Sequence, residues 1–162
     1  MIKYTKETDI LIPQHISKIG VYTGHSFLLV GIYCIYDNYT SLAYMLFGLY
    51  VTTILHWSKI YRKSVIKNVD IAMSVSVLTK ITIDDSFRWG DNRKYWIYYL
   101  CCSVMIFLIN NYCFHRLLDH PKIKMNNDAL SQCYYCNVMI HTVTLHICPS
   151  VMNVVLATIV YL

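Results

Sequence analysis

From Ile19 to Trp57 the chain is nearly all apolar, and the main interruption is the adjacent pair Asp37-Asn38. Such a pair forms turns readily and is costly in hydrocarbon. The pattern therefore predicts two helices folded back on each other, over 19–36 and 39–57. Each has ~18 residues, or ~27 Å of helix, just enough for a bilayer core. Residues 58–64 hold Lys59, Arg62 and Lys63 and belong outside that core.

A third apolar stretch, 65–83, contains Lys67, Asn68, Asp70 and Lys80. Its two lysines sit near its ends, where long side chains reach the headgroups, whereas Asp70 has no such escape. The charged stretch 84–94 reads as a loop whose aromatics suit a headgroup layer. A fourth span follows over 95–114, with Tyr95, Trp96, Tyr98 and Tyr99 as its interfacial belt. Residues 115–132 are polar and include Pro121, and the run 133–162 closes the chain. That last run exceeds one bilayer thickness, which predicts a tilt or a kink around Pro149.

The expected architecture is thus all-α: a polar tail over 1–18, then a single transmembrane domain over 19–162. It is a multi-pass helical bundle of five spans, or of four if the third stretch lies only at the interface. Composition agrees, since 56% of the 162 residues are hydrophobic and 14% charged, against ~25% charged in soluble domains. The first apolar stretch lacks a small-x-small exit and is expected to stay as a helix.

Charge adds an orientation. Of the fourteen Lys and Arg, only Lys80, Arg88, Arg93 and Lys94 fall on the side of the Asp37 turn. The positive-inside rule then puts the amino terminus in the cytoplasm. The sequon Asn38-Tyr39-Thr40 lies on the far side, too close to the bilayer for a good glycan acceptor. The net charge of +5 forms no basic stripe beside an aromatic groove, so a nucleic-acid partner is not expected and the partner is the lipid bilayer. Fifteen tyrosines, with abundant Ile, Asn and Lys, fit an A+T-rich genome such as those of some large DNA viruses and protists.

Seven cysteines do not make a disulfide framework here. Cys34, Cys101, Cys102, Cys113 and Cys148 lie inside apolar runs and read as small buried residues. Cys133 and Cys136 form one CxxC without a second pair, which supports neither a zinc ribbon nor a redox site.

Chemistry is expected where polar residues sit at membrane depth. These are His25 in the first span, His56 at the end of the second, Asp70 in the third, and His141 and His146 in the last. Counted from the cytoplasmic face at ~1.5 Å per residue, all but His146 fall in one shallow layer. Imidazoles with a carboxylate are a set that Zn²⁺ favours, and a metal would offset the cost of burying Asp70. The competing readings are ordinary hydrogen-bonded or interfacial side chains, with Asp70 pairing to Lys67 or capping its helix, and a proton or ion pathway. His141 and His146 are five apart, ~140° around an α-helix, so they do not share a face and one ligand is expected from the pair. His115, Asp119 and His120 can share a solvated turn. Thr52, Thr53, Ser74 and Ser76 are expected to bond back to their own helices or to join helix packing.

The stretch Thr53-Ile54-Leu55-His56-Trp57, followed after the basic segment by Val69-Asp70-Ile71-Ala72, resembles the CREST superfamily. That group comprises the alkaline ceramidases and the progestin and adipoQ receptors, in which a histidine ends the second span and an aspartate opens the third. The resemblance implies a zinc-dependent lipid amidase. His56 and one of His141 or His146 would be ligands, and Asp70 would hold or activate the zinc-bound water. Two features depart from the pattern: the family has seven spans where this chain has room for about five, and its last-span HxxxH is HxxxxH here. Sequence alone thus leads to a multi-pass membrane protein with a structural or partner-binding role. The alternative is a zinc-dependent intramembrane hydrolase of a lipid amide or ester.

Overall fold

The computed structural model describes residues 12–58, 65–119 and 127–159, and every regular element among them is helical. The order is α1 (Gln14–Tyr36), α2 (Thr40–Ser58), α3 (Val65–Ile83), a 3₁₀ segment (Asp85–Asn92), α4 (Arg93–Asp119), α5 (Asn127–Thr142), a π turn (Val143–Ile147) and α6 (Cys148–Ile159). Among the described residues, three helical stretches are long and apolar enough to cross a membrane: Gln14–Tyr36, Asp85–Leu117 and Asp128–Ile159.

α1 begins inside the expected polar tail. Pro13 precedes its first turn, a position where a missing N–H costs nothing, and its carbonyl accepts from Ile16 and Ser17. Ile12 and Ile16 are buried against Trp57, Phe114, Tyr134 and Val138. This apolar anchoring explains why the helix extends past the edge expected at residue 18.

The expected hairpin between α1 and α2 is present, and its closure is specific. Asn38 takes a positive φ of 61°, the Tyr39 N–H reaches the Cys34 carbonyl at 2.7 Å and the Asn38 N–H reaches Ile35 at 3.3 Å. This is a Schellman ending with Asn in the left-handed position, which its short polar side chain tolerates. The two helices then pack through small residues. Gly20, Gly24 and Gly31 all face α2, and a Cβ placed on Gly20 would lie 2.0 Å from the Trp57 ring. Small residues in this spacing let helix backbones approach closely.

At the far end of α3, Lys80 bridges Asp84 at 3.1 Å and Asp85 at 3.2 Å. Arg88 then stacks over the Tyr39 ring at 4.3 Å. The 3₁₀ segment and the α1–α2 turn therefore lie at one end of the molecule. Trp96 was expected in an interfacial belt, but it is fully buried beside Trp89 and donates its indole N–H to Thr82 at 2.9 Å. An indole with a partner for its N–H is a core residue, and only Tyr95 and Tyr98 of the expected belt are exposed.

The cysteines also need correcting. Cys34 is buried, but Cys101, Cys102 and Cys113 are exposed along α4, and all seven are free thiols. α4 turns Met105, Ile106, Ile109 and Tyr112 outward as well. A helix that is apolar on its outer face is stable where the surroundings are apolar too.

Candidate functional site

One cavity of about 530 Å³ runs between the helices, and His56, Asp70, His141 and His146 all line it. They arrive from the last turn of α2, the first turns of α3, the end of α5 and the π turn. Its other walls are mostly apolar, with Lys67, Ser74, Asn111, His115 and Asn137 among the polar exceptions. His25 is apart from the group: its exposed ring bonds to its own helix at the Val21 carbonyl, 2.9 Å, and meets the edge of Tyr50. His115 is exposed on α4, against Phe114 and at the cavity wall. His120 and the side chain of Asp119 lie outside the described residues.

Asp70 is buried, 8% exposed. Its Oδ1 accepts from the Thr53 hydroxyl at 2.8 Å and from Thr52 at 2.9 Å. Those threonines were expected to bond back to their own helix or to join helix packing; both reach across to α3, and Thr52 also has an acceptor in its own helix, the Leu49 carbonyl at 3.0 Å. Two hydroxyls are what a buried carboxylate needs to stay folded inside apolar surroundings.

The relation between His141 and His146 overturns the expectation drawn from an ideal helix. Their rings stand 5.4 Å apart, edge to face. The cause is the π turn between them, in which hydrogen bonds span five residues and residues five apart take the place that residues four apart hold in an α-helix. The register shift is visible at Cys148, whose N–H goes to the Val143 carbonyl. Thr144 thereby loses its usual donor, and the following residue, Pro149, has no N–H to offer. The Tyr99 hydroxyl of α4 fills the gap, reaching the Thr144 carbonyl at 2.6 Å. The kink expected at Pro149 thus takes the form of a widened turn that puts both histidines on the cavity. We expect Tyr99→Phe to cost about 1–3 kcal/mol by stranding that carbonyl; reversible denaturation in mixed micelles measures it.

Trp57 joins the imidazoles. Its ring centroid lies 5.1 Å from His141, 5.7 Å from His56 and 5.8 Å from His146. It is 3% exposed, held between α1 and the three rings. The bare Cα of Gly20 makes room for it.

The donor set suits zinc in kind, with three imidazoles and one carboxylate on a shared cavity. The His56 Nδ1 is buried without a hydrogen-bond partner. The 5.4 Å between the His141 and His146 rings matches the ~5 Å that two imidazoles sharing one tetrahedral ion with ~2.0 Å bonds would show. Among the described residues, however, no three His, Cys, Asp or Glu side chains stand together as a finished ligand group.

No protein-family model matches the chain, and neither a curated protein nor a solved structure is found to be similar to it.

Several contributors to the site carry no motif. Thr23 and Ser26 of α1 hold His146, the first at its ring at 3.0 Å and the second at its carbonyl at 3.1 Å. Asn153, 4% exposed, lines the cavity with an amide nitrogen that has no partner. Gly20 and Gly24 could have been found from their small-xxx-small spacing. The hydroxyls had no distinguishing signal, because Ser and Thr are common in helices that pack in membranes.

Proposed function

We propose that the chain crosses the bilayer five times, with its amino terminus in the cytoplasm, and that its cavity hydrolyses an amide or ester of a membrane lipid with the help of zinc. The observation that carries this reading is the convergence of His56, Asp70, His141 and His146 on one cavity from four places in the chain.

The span count is supported by where the polar segments gather. The Asp37 turn and the 3₁₀ segment meet at one end through Arg88 and Tyr39, while Ile16, Trp57, Phe114 and Tyr134 cluster at the other. α2 holds 19 residues without one Asp, Glu, Lys or Arg. In α3 the two lysines stand near the ends and Asp70 faces the cavity, so no charge is left in contact with lipid.

The substrate class follows from the walls. α3 and α4 make little contact with each other, yet both line the cavity, through Ile71, Val75 and Leu78 on one side and Val104, Phe107 and Leu108 on the other. An alkyl chain from the bilayer fits between such walls, and its polar linkage would rest near the histidines. The resemblance to CREST proteins points to the same class.

Zinc held by His56, His141 and His146 would supply a Lewis acid and a water of lowered pKa. The chain's own residues supply the rest. Thr52 and Thr53 hold one oxygen of Asp70 in place, which leaves the other to take up a proton. Trp57, itself buried, packs edge-on against the three rings. Detergent-purified protein is expected to carry near-stoichiometric zinc, and His56→Ala and His146→Ala to lose most of it. Metal analysis by mass spectrometry checks this.

A second reading, a structural or partner-binding membrane protein, is favoured by the absence of a finished three-ligand group among the described residues and by the apolar outer face of α4. Folded, monodisperse protein that takes up no zinc on titration would decide for it.

A further inference from the structure

His146 is the most constrained member of the cavity. Its Nδ1 lies 3.0 Å from the Thr23 hydroxyl. Its carbonyl accepts from Ser150 at 2.6 Å and from Ser26 at 3.1 Å, and the two hydroxyl oxygens lie 3.1 Å apart. Phe27 packs against the ring at 5.1 Å. Three side chains of α1 thus grip one residue of the π turn, although more than a hundred positions separate them in sequence.

The direction of the Thr23 bond decides the chemistry. A threonine hydroxyl has one hydrogen and two lone pairs. In α1 that hydrogen has an acceptor in its own helix, the Ile19 carbonyl at 2.9 Å, with Gly20 at 3.3 Å. With the hydrogen on that carbonyl, the oxygen offers lone pairs to Nδ1, and Nδ1 is then the donor.

We propose that Thr23 is a positioning residue that locks His146 as its Nδ1–H tautomer, so that Nε2 keeps a lone pair available to the cavity. Neutral imidazole carries one N–H, and the partner of that N–H determines which nitrogen remains free for a metal or a proton. Ser26 and Ser150 complete the device by fixing the backbone of the widened turn, so the ring cannot swing to exchange its nitrogens. Without this lock the proton could sit on Nε2, and His146 would face the cavity as a donor, unable to ligate. The metal consequence rests on the zinc reading above; the tautomer does not.

The test uses full-length protein, uniformly ¹⁵N-labelled at histidine, in nanodiscs and stripped of metal. His146 resonances are assigned by their loss in His146→Gln. Expected in the wild type is a protonated Nδ1 with an unprotonated Nε2, unchanged in Thr23→Ser and lost to an Nε2–H or mixed state in Thr23→Val. A wild-type ring protonated at Nε2 overturns the proposal, and because that result needs no variant it stands even if Thr23→Val fails to fold. Zinc titration forms the second arm: Thr23→Val is expected to bind about 10–100-fold more weakly than wild type, with Thr23→Ser close to wild type. Equal zinc affinity in all three overturns the lock. An Nδ1–H wild type that binds no zinc upholds the lock and defeats the hydrolase reading alone.

Discussion

Replacing Thr52 and Thr53 together by Val is expected to destabilise the protein by roughly 3–5 kcal/mol, the cost of leaving a buried charge without its partners. Both hydroxyls converge on Oδ1 of Asp70, at 2.9 and 2.8 Å, inside a cavity with mostly apolar walls. Valine matches threonine in shape, so packing is almost preserved and the loss is that of two donors. Each single change should cost much less than half of the total, since the remaining hydroxyl can still serve the same oxygen. Adding Asp70→Leu to the double variant should restore most of the stability, because the unsatisfied carboxylate is then gone. Denaturation in mixed micelles, read as a complete mutant cycle, checks the sign and the size. If the triple variant were no more stable than the double, the threonines would be holding α2 to α3 by packing and not through the carboxylate. Zinc binding should fall in the triple variant even where stability returns, which separates the two roles of Asp70.

Much of the framework was legible because the relevant signal is local. Asp37-Asn38 marks a turn through its own chemistry, and Asn38 indeed takes the left-handed backbone that closes the hairpin. Lys80, Asp84 and Asp85 mark the end of α3 for the same reason, and they pair with one another there. The four cavity residues were legible as costly polar groups in apolar runs, and that reasoning is about energy and independent of the fold.

What could not be read depends on contacts between helices or on a change of helical pitch. His141 and His146 diverge on an α-helix, and the π turn that aligns them depends on Tyr99, forty-five positions from the carbonyl it satisfies. Trp96 carries the same residue type as an interfacial anchor, and only its bond to Thr82 makes it core. Cys101 and Cys113 lie in an apolar run as buried cysteines do, but among the described residues both are exposed on α4. In a bilayer an apolar residue facing out and one facing in look alike in sequence, since both environments favour the same side chains.

The seam between α1 and α2 provides the other large effect. Gly20→Leu is expected to cost about 3 kcal/mol or more, at or beyond the upper range of overpacking in a dense interior. The first added atom alone would meet Trp57 at 2.0, 2.2 and 2.5 Å, three ring atoms of a rigid group. Trp57 cannot yield freely, because His56, His141 and His146 all stand within 6 Å of its ring centre. Either α1 moves away from α2, which also withdraws Thr23 and Ser26 from His146, or the indole is driven into the cavity among the histidines. Both responses disturb the site, although Gly20 itself carries no functional group. Gly24→Ala is the matched control: its Cβ would meet Thr53 at 3.1 Å, a displacement of a few tenths of an ångström, with a cost expected near 1 kcal/mol. Denaturation midpoints and tryptophan emission, recorded together, should show a large loss with altered indole surroundings for Gly20→Leu and a small loss with wild-type emission for Gly24→Ala. Equal effects would mean that the seam yields as a whole, and that Trp57 is not the fixed wall on which the three imidazoles are arranged.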